Sequence, residues 1–308
     1  MKISVVIPSK DSPSLNDTLR SVAVAASRLG TGDVEVLVVD SSEAPITVAP
    51  EVTEAGPPIT VLRKSLGRLS ARLFGFGRAT GKWILNLDSD QLLHPELLRE
   101  IVRSDRPAIV IPEVPPGDPA RWSRWERLAY RVHERNDRDF RAHPSLDLPV
   151  IPRAYDRELL TRAADAILNR APEREPENLP TQHEDTVLFS YFLRVNRLPL
   201  DDSLGFASMP IYHPVPDLPA TMRRSLRYGR ALGRESRLRR QGSAGVDSLS
   251  WRQVYRVDAA RLTQYMSPTS RWNLPRMVYD SVRGCAYVPG IIGGYLGRHR
   301  PSLGVATD

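Results

Sequence analysis

The chain predicts an α/β fold with a mostly parallel sheet flanked by helices, and three observations carry that expectation. Short, nearly continuous apolar runs recur through the first third of the sequence, stretches with helical spacing lie between them, and several runs end in a carboxylate or a hydroxyl. Parallel strands buried on both faces read in this way, without polar alternation.

"ISVVI", residues 3–7, is ended by Pro8, and "VEVLVVD", 34–40, ends on Asp40. Between them Leu15, Leu19, Val22, Ala26 and Leu29 recur at helical spacing, with Gly30 as the stop, which makes one β-α-β unit. "ITVLRK", 59–64, predicts the next strand, residues 69–79 a helix closed by Gly81, and "KWILNLDSD", 82–90, a strand that runs into two acids. Ligands of doubly wound sheets gather at the carboxyl ends of strands, and Ser9, Asp40, Asp88 and Asp90 all lie at such ends.

Farther on, "PEVPPGDP", 112–119, reads as a Pro-rich loop. "ARWSRWERLAYRVHERNDRDF", 120–140, reads as an amphipathic helix with Trp122, Trp125, Leu128, Ala129 and Val132 on one face. Residues 169–182 are polar and carry three prolines, as a mobile loop would. Helices are expected over 222–240, over 251–266 and within 271–297. The expected division is a nucleotide-binding catalytic domain over 1–215 and a basic helical region over 216–308.

With 308 residues, 41% of them hydrophobic, the chain can build a substantial core. Its single cysteine, Cys285, excludes an intramolecular disulfide and suits a reducing compartment. The apolar run after Met1 and Lys2 is too short for a signal-peptide core, so the expected location is cytoplasmic. The net charge of +7 is uneven: residues 216–308 hold 16 Arg and six acids, whereas residues 1–215 are net −3.

The acids at 88 and 90 carry the chemistry. Two carboxylates one residue apart repel unless a cation offsets them. Hard cations such as Mg2+ or Mn2+ take carboxylate oxygens and bridge phosphates, which suits a nucleotide-diphosphate site. The plainer reading is that Asp88 caps the helix after Pro95 or solvates a loop. Glu184 and Asp185 open an apolar helix, "TVLFSYFL", where first-turn acids are ordinary. His213, in "YHP", reads either as a satisfied structural histidine or as a ligand. The other histidines, at 94, 133, 143, 183 and 299, show no metal-ligand spacing.

Taken in order, "VVIPSKD", "EVLVVDSSE", "GRLSARLFGFGRATGKWILNLDSD", "HEDTVLFSYFLRVNRL" and "YHP" resemble a family 2 glycosyltransferase of the GT-A fold, over about residues 3–230. The resemblance implies that Pro8, Ser9 and Asp40 meet the donor nucleotide, that Arg72, which closes the family's Gly-x-x-x-Ala-Arg stretch, binds the donor, and that Asp88 sits by the ribose or sugar. It further implies that Asp90 and His213 hold Mg2+ or Mn2+ on the diphosphate and that Asp185 is the catalytic base. The Asn that follows the Arg in the family is Leu73 here, and the second Asp often seen after Asp40 is Ser41. Arg227 and Arg230, in a segment like the family's Tyr-Gly stretch, either reach the diphosphate or form a solvated basic face. Arg153 contacts acceptor or phosphate, or makes a salt bridge. Trp122 stacks on an acceptor sugar or simply packs, and Glu184 stands beside the proposed base.

The implied activity is a metal-dependent, inverting transfer of one sugar from a nucleotide-diphosphate sugar to a hydroxyl on a glycan, lipid-linked sugar or small metabolite. No Gln-x-x-Arg-Trp motif of processive synthases occurs. A nucleotidyltransferase would carry a Gly-rich phosphate loop after the first strand, and "PSKDSPS" is not one. A non-catalytic basic protein binding anions or nucleic acid remains the third reading, although no nucleic-acid motif accompanies the arginines and no nucleic-acid partner is expected. The 14 uncharged residues 284–297 are too few to span a bilayer, which takes about 20. Flanked by arginines, they either lie peripherally on the inner face of an anionic membrane or pack on the catalytic domain.

Overall fold

The computed structural model describes residues 2–142, 144, 150–169, 184–240 and 274–296. The first apolar run forms β1 (Ile3–Ser9), followed by α1 (Leu15–Leu29), β2 (Val34–Asp40), α2 (Pro50–Ala55), β3 (Ile59–Arg63), α3 (Arg68–Phe76) and β4 (Trp83–Asn86). β1 pairs in parallel with β2 and β4, and β2 with β3, so the early strands take the expected alternating pattern. Next come β5 (Leu92–Leu93), α4 (Leu97–Arg103), β6 (Ala108–Val110), β7 (Glu113–Val114), α5 (Arg124–Ala142), β8 (Ala154–Asp156) and α6 (Arg157–Asn169). The chain continues through α7 (Glu184–Asn196), α8 (Leu200–Ser203), β9 (Leu204–Phe206), β10 (Ile211–Tyr212), α9 (Leu218–Arg240) and α10 (Leu274–Leu296).

The main sheet runs β3-β2-β1-β4-β8-β6-β9, and β8 is antiparallel to both neighbours. A small second sheet, β5-β10-β7, stands beside it. Strand periodicity sorts the core into two layers. Val5, Ile7, Val36, Val38 and Leu85 pack under α1 and α4, whereas Val6, Leu37 and Ile84 pack under α3, α6 and α7. Both faces of the sheet are therefore covered, as continuous apolar strands require.

Register aligns the strand ends. Ser9 pairs with Asp40, and Val6 with Asn86. One further bond, from the Leu87 N–H to the Val6 carbonyl at 3.1 Å, carries the ladder to the point where Asp88 leaves the sheet. α3 lies unusually close beneath: a Cβ at Gly75 would stand 2.4 Å from Cγ1 of Val6, so only glycine permits this approach. Arg72, one turn earlier on the same helix, is thereby brought up to the end of β4.

The helix expected over 120–140 begins later. Ser123 Oγ accepts from the Glu126 N–H at 3.1 Å while Glu126 Oε2 accepts from the Ser123 N–H at 2.6 Å, a capping box that starts α5 at Arg124. Trp122 consequently lies outside the helical face it was expected to share. Its ring meets Tyr130 edge-on at 5.0 Å, and Nε1 donates to the Pro116 carbonyl.

The described residues fall into two compact units, the second formed by α9 and α10. These two helices cross at glycines: a Cβ at Gly229 would stand 2.1 Å from the Tyr287 carbonyl oxygen, and one at Gly290 2.4 Å from that of Leu226. Among the described residues no helix is long and apolar enough to cross a membrane. The helix expected over 251–266 lies outside the described residues, as does the loop expected over 169–182 except for Asn169, the last residue of α6.

Candidate active site

Ser9 and Asp40 close the first two parallel strands and are buried, yet Ser9 Oγ and one Asp40 oxygen, Oδ2, have no hydrogen-bond partner. The other, Oδ1, accepts from the Ser42 N–H at 2.9 Å. A buried polar atom left unpaired costs about 1–3 kcal/mol, which makes both candidate ligand contacts. An open cavity of about 250 Å³ lies between the loops after β1 and β2, lined by Asp11, Ser12, Asn16, Ser42 and Thr47 among others. Asp88, Asp90, Asp185 and His213 are not among its lining residues.

Those residues gather instead around two guanidiniums. Arg72, 1% exposed, places Nη2 2.6 Å from Asp88 Oδ1 and Nη1 against Asp185 Oδ1 and, at 3.5 Å, Glu184 Oε1. Arg153 approaches the same two aspartates from their other oxygens, with Nη1 3.6 Å from Asp88 Oδ2 and 3.5 Å from Asp185 Oδ2. Each aspartate thus bridges both arginines. Burial alone would raise Asp88, but Arg72 and Arg153 hold its carboxyl well below the usual range. Burial, and then the adjacent Asp185 charge, raise Glu184, opposed by Arg72 and Arg68. Arg68 reaches Glu184 at 3.2 Å, and Asn86 Nδ2 donates to Asp185 Oδ1 at 3.4 Å.

The far side of Arg153 leads to the histidine. Arg153 Nη2 and Nε lie 2.6 and 3.0 Å from Glu113 Oε1, while Glu113 Oε2 meets His213 Nδ1 at 3.0 Å. Nε2 of the same imidazole is 3.6 Å from Asp90 Oδ2. Burial opposes protonation of His213, but contacts with Asp90 and Glu113 outweigh it and push the imidazole up to about 9. Glu113 is held far below the carboxylate range, against burial, by Arg153 first and His213 next.

Asp90 and His213 form an open pair, and among the described residues no three His, Cys, Asp or Glu side chains converge as a closed cage. That donor set fits Mg2+ or Mn2+, which keep waters and share substrate phosphates. A metal-ligating imidazole characteristically has its second nitrogen fixed by a carboxylate, as Glu113 fixes Nδ1 here. Five carboxylates (Asp88, Asp90, Glu113, Glu184, Asp185) face three guanidiniums (Arg68, Arg72, Arg153) in this network. The acids outnumber the guanidiniums, and the network thus carries a surplus of negative charge that a cation would offset.

The structure therefore joins Arg72, Asp88, Asp90, Arg153, Glu184, Asp185 and His213, and sets Pro8, Ser9 and Asp40 at the neighbouring strand ends. Arg227 and Arg230 are exposed on α9, in the second unit. Trp122 stands in the turn before α5. Sequence reasoning missed Glu113, Asn86, Gln91 and Arg68. Glu113 had a readable signal: "AIVI" runs through Pro112 into an acid, as "WILNL" runs into Asp88. The surrounding prolines gave it the look of a loop. Gln91 pins the turn, accepting from the Asp88 N–H at 2.9 Å and donating to Glu113 Oε1 at 3.3 Å.

Residues 4–163 match the family described as Glycosyl transferase family 2. A curated relative from Enterobacter sp. (strain 638), named undecaprenyl-phosphate 4-deoxy-4-formamido-L-arabinose transferase, is 30% identical over 175 residues, or 54% of this chain and 51% of its own. The match thus spans about half the length of that relative. Among solved structures, the mannosyltransferase PcManGT from Pyrobaculum calidifontis, in complex with GDP-Man and Mn2+, is similar in fold at a TM-score of 0.52 and 14% identity, covering 97% of this chain and 88% of its own. The S. aureus TarS fragment 1–349 aligns at a TM-score of 0.46 and 18% identity, over 97% and 93% of the two chains.

Proposed function

The chain belongs to glycosyl transferase family 2, and from that premise we propose that it transfers a single sugar from a nucleotide-diphosphate sugar to an acceptor hydroxyl, with inversion and with a divalent metal. The observation that carries this reading is the convergence of Asp88, Asp90, Asp185 and His213 from three separate segments of the chain, together with the unpaired Ser9 Oγ and Asp40 Oδ2 at the ends of β1 and β2. Ser9 and Asp40 hold the nucleoside, and Asp88 the ribose or sugar. Asp90 and His213 would hold Mg2+ or Mn2+, which supplies positive charge to the departing diphosphate.

Asp185 takes the proton from the attacking hydroxyl as the new glycosidic C–O bond forms and the anomeric carbon–diphosphate bond breaks. Both of its oxygens are paired with arginine, Oδ1 with Arg72 and Oδ2 with Arg153. The test is release of nucleoside diphosphate from UDP-, GDP- and dTDP-sugars with Mn2+. Turnover of one donor, lost in Asp185→Asn, supports the reading, and no turnover of any donor with a range of hydroxyl acceptors counts against it.

The relative is named for a lipid phosphate, which points to a lipid-linked sugar as the bearer of the acceptor hydroxyl, and α10 has a face suited to peripheral contact with the inner face of a membrane. Val278, Cys285, Val288 and Ile292 recur on one exposed, uncharged side of that helix, within a region of net charge +10. Such a face suits shallow contact with anionic lipid. Sedimentation with anionic but not neutral vesicles, reduced in Ile292→Asp, is the expected result, and equal recovery with neither vesicle removes the membrane from the proposal.

A further inference from the structure

One carboxylate that neither the sequence nor the family assigns joins the two halves of the site. Glu113 sits on β7, in the small sheet where β10 runs parallel to it, with Ile211 opposite Glu113 and Tyr212 opposite Val114. The His213 N–H bonds to the Val114 carbonyl at 2.8 Å, extending that ladder to the histidine itself. The backbone thus fixes how far His213 stands from Glu113. The side chains use the fixed spacing: Oε2 takes His213 Nδ1 at 3.0 Å, and Oε1 takes both Nη2 and Nε of Arg153. A third donor, Gln91 Nε2, closes on Oε1 at 3.3 Å, and Gln91 in turn accepts from the backbone of Asp88.

We infer that Glu113 is the positioning residue of this site, a single carboxylate that turns His213 so that Nε2 faces Asp90 and holds Arg153 against Asp88 and Asp185. The inference rests on the metal-dependent reading given above for the role of His213, but its geometry does not. Nδ1 is 3.0 Å from Glu113 whereas Nε2 is 3.6 Å from Asp90, so in the neutral ring the proton belongs on Nδ1 and the lone pair on Nε2. A carboxylate behind a ligating imidazole fixes its tautomer, and its removal typically costs about 10–100-fold in metal affinity. Glutamine cannot replace it, because its amide offers one acceptor oxygen and turns N–H donors towards either the imidazole or the guanidinium.

The test uses the full chain with 15N-labelled histidine and arginine, together with Mn2+ alone as the metal probe. Wild-type protein, observed at a pH where the ring is neutral, is expected to show His213 protonated on Nδ1 and an exchange-protected Nε–H on Arg153. Glu113→Gln and Glu113→Ala are expected to lose the Arg153 signal and to bind Mn2+ about 10–100-fold more weakly. The inference is overturned by a wild-type ring protonated on Nε2, or by Glu113 variants that bind Mn2+ like wild type while His213→Ala does not. If the wild-type chain binds no Mn2+, the metal-dependent reading fails, and the tautomer, which needs no variant to fold, still decides for or against Glu113.

Discussion

The residues of the site are held by opposed charges rather than by packing, and this makes their loss unequal. Arg72 is enclosed among three acids, so Arg72→Met leaves Asp88, Glu184 and Asp185 facing one another with Arg153 and Arg68 as the remaining cations. Breaking a buried pair in this way costs roughly 3–5 kcal/mol, and chemical denaturation at neutral pH should register a loss of that order. The deficit should shrink in acid, because protonation removes the repulsion. His213 gives a second pH signature. Its folded-state value, about 9, lies above the ordinary 6.5, so its contribution is complete below about pH 6.5 and disappears as pH rises through about 9. Metal-free protein should lose up to about 3 kcal/mol over that window, and His213→Gln should flatten the slope. At this scale the sequence revealed acids that end apolar runs, Asp40, Asp88 and Asp90, because burying a strand that runs into a charge demands a reason. It could not reveal that Asp88 and Asp185, about a hundred residues apart, share the same two arginines.

Elements decide where those residues can reach. α3 carries Arg72 to the end of β4 because Gly75 lets the helix sit against Val6. Gly75→Ala forces the helix and sheet apart, and overpacking of this kind costs about 1–3 kcal/mol. The expected outcome is a lowered melting temperature together with weakened donor binding, whereas a change in stability alone would detach Gly75 from the site. The strands β1, β2 and β4 were legible because each is a run of four to seven largely buried residues, whereas the edge strand β3, none of whose residues is buried, was legible from its apolar residues alone. The pairs in the small sheet are two residues long and join segments about 100 residues apart, too short for any period to register. The start of α5 was misplaced for a different reason. The apolar spacing ran smoothly through Trp122, but the Ser123–Glu126 box interrupts it, and capping outweighs a continuing pattern.

At the scale of the whole molecule, the first unit carries the acids and the second a surplus of arginine. The charge division was visible in the sequence, but the glycine crossing of α9 and α10 was not, since no periodicity marks Gly229 and Gly290 as partners. The claim that binds the account together is that Asp90 serves the metal and its donor while Asp185 serves the proton. Thermal-shift measurement with UDP-, GDP- and dTDP-sugars, with and without Mn2+, tests this directly, because a ligand that binds only the folded chain raises its apparent stability. The expected result is a shift with one nucleotide class that requires Mn2+, is lost in Asp90→Ala and persists in Asp185→Asn. Equal loss in both variants, or a shift indifferent to Mn2+, would contradict it.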